Sequence, residues 1–197
     1  EVGQLGGIVA CLTKAQLETL PADALDFDAM ATVGAYGDWS EAEKSIVIAS
    51  HYIKNEVNGA ANMTSGHILN MGHIAGGLTS ADIDAFPKEV YCGSASHIGQ
   101  LHNMEETQQV SWAVHAKACK GAVDTWTAQD IKVVGHVIGG LEETDLHLMS
   151  QAQIQEISTS SLLLMTPKQF AKLSVTQLGH LSAEQTRWLT QEQINSL

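Results

Sequence analysis

Residues 63–78, MTSGHILNMGHIAGGL, return as residues 126–141, WTAQDIKVVGHVIGGL, without a gap and at an offset of 63 residues. The shared core is Gly72-His73-Ile74-Ala75-Gly76-Gly77-Leu78 against Gly135-His136-Val137-Ile138-Gly139-Gly140-Leu141. A third copy, Gly6-Gly7-Ile8-Val9-Ala10-Cys11-Leu12, stands 66 residues before Gly72. Each copy runs into a related sequel: LTKAQLETLP, LTSADIDAFP or LEETDLHLMS. Registered matches with a common continuation define an internal repeat. They predict three units, residues 1–62, 63–125 and 126–197.

A shorter period governs the last unit. Met149, Ile157, Met165, Leu173, Leu181, Leu189 and Leu197 follow one another every eight residues. The first six are each followed by Ser or Thr, and in five of these six octads Gln stands three residues after that hydroxyl. Ser/Thr-x-x-Gln is the capping box, in which hydroxyl and amide satisfy free N–H groups at a helix start. A start signal every eight residues leaves room for one or two helical turns. Helices that short are unstable alone and need packing against neighbours. The apolar residue before each cap is expected to point inward, with Leu173, Leu181 and Leu189 buried.

Longer helices stand between these clusters. Ser40-Glu41-Ala42-Glu43 reads as a capping box leading into Ile46, Val47, Ala49, Tyr52, Ile53 and Val57. A counterpart over 105–119 places Val110, Ala113, Val114 and Ala118 on one face. Gly76-Gly77 and Gly139-Gly140 read as helix C-caps, and 34–38, 58–61 and 121–125 as loops. Alternating β-branched runs are almost absent, so the expected fold is all-α, a superhelical, solenoid-like stack of short helices.

Acidic residues outnumber basic ones 22 to 10, the net charge is −12, and Arg187 is the single arginine. Nucleic-acid grooves and anionic membrane surfaces are read by clustered Lys and Arg, so neither is an expected partner. No apolar run approaches the roughly 18–20 residues of a transmembrane segment. Glu1 in place of a start methionine fits a processed chain or a piece of a longer one.

Enzyme signatures fail in turn: G-x-S-x-G, G-x-x-x-x-G-K-S/T and G-x-G-x-x-G are all missing. In Gly93-Ser94-Ala95-Ser96-His97 a Ser lies near a His, but no strand precedes it to form a nucleophile elbow. Five histidines share a context, at His67, His73, His97, His136 and His180, yet repetition spreads them along the chain and zinc needs three or four converging ligands. Asp26/Asp28 and Asp82/Asp84 lack the loop of a calcium site, and Asp82 sits at a cap position after Thr79. No catalytic residue, cofactor or metal is expected.

Three cysteines remain. In a reducing compartment Cys11, Cys92 and Cys119 are small buried thiols. In an oxidising one, Cys92 and Cys119 flank the second long helix and pair if the chain over 91–100 doubles back, with Gly93, Ser94, Ser96 and Gly99 permitting the turn. Cys11 is then left for an external partner. Asn62-Met63-Thr64 is the N-glycosylation sequon, and with the cysteines it favours an extracellular setting.

The pattern Leu5-Gly6-Gly7-Ile8-Val9-Ala10-Cys11-Leu12-Thr13-x-x-Gln16-Leu17-x-x-Leu20-Pro21, repeated over 71–87 and 134–150, resembles the mesothelin, stereocilin and otoancorin family of extracellular proteins. The words in LSAEQTRWLTQEQINSL, residues 181–197, are similar to that family's C-terminal half. The resemblance implies a superhelical stack of short helices, secretion or surface attachment, glycosylation and a role in adhesion, with no catalysis. The matching positions are scaffold, so no functional residue transfers. The expected partners are other extracellular proteins or copies of the chain. Two rivals stand beside this reading: an intracellular armadillo- or HEAT-like scaffold and a His-mediated metal-binding protein.

Overall fold

The computed structural model describes residues 2–35 and 39–197; positions 36–38 of the loop expected over 34–38 lie outside the described residues. Among the described residues every regular element is an α- or 3-10 helix, so the fold is all-α. The chain divides into two compact units, Glu1–His97 and Ile98–Leu197. The first contains α1 (Val2–Leu5), a 3-10 segment (Gly6–Cys11), α2 (Lys14–Leu17), α3 (Phe27–Ala35), α4 (Ala42–Asn55), a 3-10 turn (Ala60–Asn62), α5 (Ser65–Met71), a second 3-10 segment (Gly72–Gly77), α6 (Ser80–Asp84) and α7 (Lys88–Ile98) up to its last residue. The second contains α8 (Glu106–Lys120), a turn (Val123–Thr125), α9 (Ala128–Val134), a third 3-10 segment (Gly135–Gly140) and α10 (Glu143–His147). Six short helices follow: α11 (Gln151–Glu156), α12 (Thr159–Leu164), α13 (Pro167–Phe170), α14 (Val175–Leu178), α15 (Ala183–Arg187) and α16 (Gln191–Asn195).

The repeated words build the same local structure. Thr64 and Thr127 cap α5 and α9 through complete capping boxes. Both helices end at a glycine with φ +52°, Gly72 and Gly135, and Gly6 holds the same conformation at +51°. That region penalises any Cβ. The C-cap is therefore the first glycine of each word, not the Gly-Gly pair the sequence pointed to. The pair has a packing role: a Cβ on Gly77 would overlap the backbone of Ser45 and Ile46 in α4, and one on Gly140 that of Gln109 and Val110 in α8. Each long helix thus lies directly on the 3-10 segment that follows it. Gly135 likewise meets the backbone of Gly99, whose carbonyl accepts the His136 N–H at 2.9 Å.

Three local expectations are corrected. α4 begins after Glu41, not Ser40; the Glu41 carbonyl accepts from Lys44 and Ser45 N–H and its carboxylate pairs with Lys44 at 2.8 Å. Residues 93–96 are helical in α7, where Val90, Tyr91, Ser94, Ala95 and Ile98 form a buried stripe at helical spacing. The buried face of α8 carries Gln108, Gln109, Ser111, Trp112, Ala113, His115 and Ala116, while Val110 and Val114 are 41% and 58% exposed. Trp112 outweighs two valines in apolar area, and it sets the helix rotation. On α4, Ile48, Ala49, Tyr52 and Ile53 are buried, but Ile46 is exposed.

The octads form the core of the second unit in an unusual way. Caps Ser150, Thr166, Ser174, Ser182 and Thr190 each complete a capping box with their glutamine. All five glutamines are buried. Each Oε1 accepts the cap N–H, leaving Nε2 to donate elsewhere. Gln185 donates to the carbonyls of Ile154 and Ile157 at 2.9 and 2.8 Å, and Gln193 to those of Leu162 and Met165 at 2.7 and 2.8 Å. Gln177 donates to Leu146 and Gln153 to Val123 and Trp126. The partners of Gln177, Gln185 and Gln193 therefore lie 28 or 31 residues back, three and a half to four octads. Gln169 breaks the register and donates to Gln109 Oε1 on α8 at 2.6 Å, in space left open by Gly139. In the remaining octad Ser161 replaces Gln and pairs with Ser158 at 2.8 Å.

Met149, Ile157, Met165 and Leu173 are buried as expected. Leu181 and Leu189 are only half-buried and Leu197 is 63% exposed. Leu173→Ala should cost about 2–5 kcal/mol, as for a packed core leucine. Leu181→Ala should cost about 1–2 kcal/mol, since part of its side chain is already in water. Urea denaturation of both variants tests the ordering.

Candidate functional site

Cys92 lies on the exposed side of α7 and Cys119 in the last turn of α8; both are disulfide-bonded, and Cys11 is an exposed free thiol at the end of the first 3-10 segment. Asn62 is exposed at the end of the Ala60–Asn62 turn, where its Nδ2 donates to the Asn58 carbonyl at 3.0 Å. Asn58 itself adopts φ +58°, followed by Gly59 at +111°, so the sequon sits on a sharp, solvent-facing bend.

The histidines are dispersed and used locally. His67 occupies the third position of the α5 capping box: its Nδ1 accepts the Thr64 N–H at 3.1 Å, and its ring meets Phe27 and Tyr52 edge-on. His97 Nε2 contacts the Gly72 carbonyl at 3.0 Å. His136 is buried, with Nδ1 donating to the Leu101 carbonyl at 2.9 Å and Nε2 3.3 Å from Ser160 Oγ. His73 is exposed and His180 half-buried. Among the described residues no three His, Cys, Asp or Glu side chains gather as a metal site would require.

The other candidate groups are also absorbed by the fold. Ser94 Oγ donates to the Val90 carbonyl within α7 at 2.5 Å, so it is not aligned with His97. Asp26 accepts from Ala29 N–H at 2.8 Å and Asp82 completes the Thr79 capping box. Asp130 caps α9 at Thr127 and pairs with Lys120 at 2.6 Å; the Lys120 and Thr127 bonds hold its carboxyl down at about 2. Lys117 pairs with Asp145, also at 2.6 Å.

Burial lowers the pKa of both His67 and His136; Glu56 partly opposes this at His67, and at His136 the Leu101 bond opposes it while His102 adds to it. The neutral rings are the ones that fit, because a proton on His67 Nδ1 would break the cap. Both folded pKa values lie below the unfolded value of about 6.5, so the unfolded chain gains more protons as pH falls. Their contribution to stability is complete above about pH 6.5 and is lost as pH falls through the lowered folded values. Urea midpoints measured from pH 7.5 to 5 should fall, and fall less in His136→Gln; an identical acid loss in that variant contradicts the assignment.

No helix among the described residues is long and apolar enough to cross a membrane. No family model matches the sequence, and no solved structure matches it. The chain is similar to otoancorin from Mus musculus, 18% identical over 189 residues, and to otoancorin from Homo sapiens, 20% identical over 193 residues. Each match covers 96% of this chain but 16% of the length of the relative. The comparison supports a distant otoancorin-like relationship over nearly the whole chain.

Proposed function

We propose that this chain is part of an extracellular, non-catalytic adhesive or structural glycoprotein, presenting a helical-repeat surface for protein–protein contact or matrix assembly. The observation that carries the reading is that Cys92 and Cys119 are each disulfide-bonded in an all-helical chain, since such bonds persist in oxidising compartments. The exposed sequon at Asn62 and the similarity to otoancorin support it. In this reading the repeats 1–62, 63–125 and 126–197 stack as a superhelix and Asn62 carries a glycan. Cys11 pairs outside the segment, and the partners are other extracellular proteins or further copies. Catalysis has no part in it.

Non-reducing peptide mapping of the natively produced protein, with glycan mass measured at Asn62, is the test. A linked Cys92–Cys119 peptide and a glycosylated Asn62 are expected. Three free thiols and a bare Asn62 would move the chain to a reducing compartment and favour the intracellular scaffold.

A further inference from the structure

The bend between α4 and the Ala60–Asn62 turn holds the one Asn-Gly dipeptide of the sequence, Asn58-Gly59. The other asparagines, Asn55, Asn62, Asn70, Asn103 and Asn195, precede Glu, Met, Met, Met and Ser. An asparagine Cγ is an electrophile that the next residue's amide nitrogen can reach by closing a five-membered ring. A Cβ on that next residue shields the nitrogen, and glycine has none. Gly59 is open on this side, since a Cβ there would meet no other described atom within 4 Å. Asn58 is exposed, and among the described residues it is the one non-glycine with a positive φ, +58°. Its Nδ2 donates to the Glu56 carbonyl at 3.3 Å. Three further hydrogen bonds close the bend around the pair. Gly59 N–H donates to the Ile53 carbonyl at 2.9 Å, Asn62 N–H to the Gly59 carbonyl at 3.0 Å, and Asn62 Nδ2 to the Asn58 carbonyl at 3.0 Å.

We propose that Asn58 is a self-modifying site, at which the Gly59 amide nitrogen attacks Asn58 Cγ and the hydrogen-bonded bend sets the rate. The Gly59 N–H gives its proton to hydroxide, the N–Cγ bond forms, and the Cγ–Nδ2 bond breaks. The departing nitrogen takes a proton from water and leaves as ammonia. A water molecule then opens the cyclic imide at either carbonyl, which leaves aspartate or isoaspartate at position 58. The balance is one water consumed and one ammonia released, with no oxidant, metal or enzyme required. The nucleophile is the same N–H that the Ile53 carbonyl holds, so the ring closes when the bend opens locally. The isoaspartate product does not rebuild the bend. Its main chain runs through Cγ and is one methylene longer, and the carbonyl that Asn62 Nδ2 binds becomes part of a free carboxylate. The reaction therefore adds a negative charge beside the sequon and releases the Asn62 side chain from the end of α4. This inference goes beyond the proposed function and is independent of compartment.

The test uses the intact chain, produced in a host that attaches no N-glycan, so that Asn62→Ala removes the bond to Asn58 without removing a sugar. The folded chain and a sample unfolded in urea are incubated at mildly alkaline pH. Peptide mass spectrometry that resolves aspartate from isoaspartate then follows every asparagine. In the folded chain Asn58 should convert first, about 10–100-fold more slowly than in urea, as two closing hydrogen bonds would impose. Asn62→Ala should raise the folded rate by about 2–10-fold, the equivalent of one hydrogen bond. The comparison of folded with urea-unfolded wild type needs no variant, so it stands even if Asn62→Ala fails to fold. Equal rates in the two wild-type samples overturn the proposal, as does earlier conversion of another asparagine in the folded chain. An Asn58 still intact in the folded chain after ~100 half-times of the unfolded reaction overturns it as well. None of these results bears on the cysteine pairing or on glycan attachment, so failure here is distinguishable from failure of the proposed function.

Discussion

Gly140→Ala should destabilise the second unit by about 3 kcal/mol, the upper range for forcing extra volume into a packed site. A methyl at position 140 would occupy the space of the Gln109 carbonyl and the Val110 amide on α8. The obstacle is backbone, not the movable end of a side chain, so relief requires α8 to leave the Gly135–Gly140 segment. That displacement would also disturb the Gln109–Gln169 pair beside Gly139. Gly77→Ala should behave alike in the first unit, where the blocking atoms belong to Ser45 and Ile46. Gly66→Ala is the control: it lies inside α5, its Cβ would meet nothing nearer than Thr64 Oγ1 at 3.6 Å, and alanine favours the helix. It should be neutral or stabilising by up to about 1 kcal/mol. Chemical denaturation of the three variants reads the contrast.

Gln185→Ala should cost about 3 kcal/mol, although the residue lies in a helix of five residues. The truncation opens the Ser182 capping box, leaves the Ile157 carbonyl without the Gln185 donor and leaves the Ile154 carbonyl with only the Ile157 N–H. An orphaned buried group costs about 1–3 kcal/mol, well above the net value of a typical hydrogen bond. Gln16 provides the internal comparison. It makes the same box with Thr13, its Oε1 2.9 Å from the Thr13 N–H, but it is exposed. Gln16→Ala should lose only the cap, about 0.5–1 kcal/mol. Near-equal losses at the two positions would mean that the ladder contributes nothing beyond capping.

The short helices were legible because capping chemistry is local. Ser/Thr-x-x-Gln fixes a helix start from four consecutive residues, and the octad boundaries followed from it. The repeat was legible because Gly72 and Gly135 need a backbone conformation that side chains resist, so the word around them is constrained. The ladder was not read, since a capping box predicts only the Oε1 half of each glutamine. The residue type in the box did not separate the cases: Thr13 also uses a glutamine, Gln16, which is exposed, while the boxes at Thr79 and Thr127 use Asp82 and Asp130. The rotation of α8 was missed for another reason. Buried glutamines and a histidine share a face with Trp112, and the polar groups masked the stripe that Val110 and Val114 imitated. The packing use of Gly-Gly depends on a helix distant in sequence and leaves no local trace.

The central claim is that buried carboxamides in five of the six octads tie short helices to distant chain, four of them to carbonyls about 30 residues back and Gln169 to Gln109. Hydrogen exchange of the glutamine side-chain NH2 groups, followed by NMR, measures this directly. The account predicts slow exchange for Gln153, Gln169, Gln177, Gln185 and Gln193 and fast exchange for Gln16. Uniformly fast exchange at all six positions would contradict it.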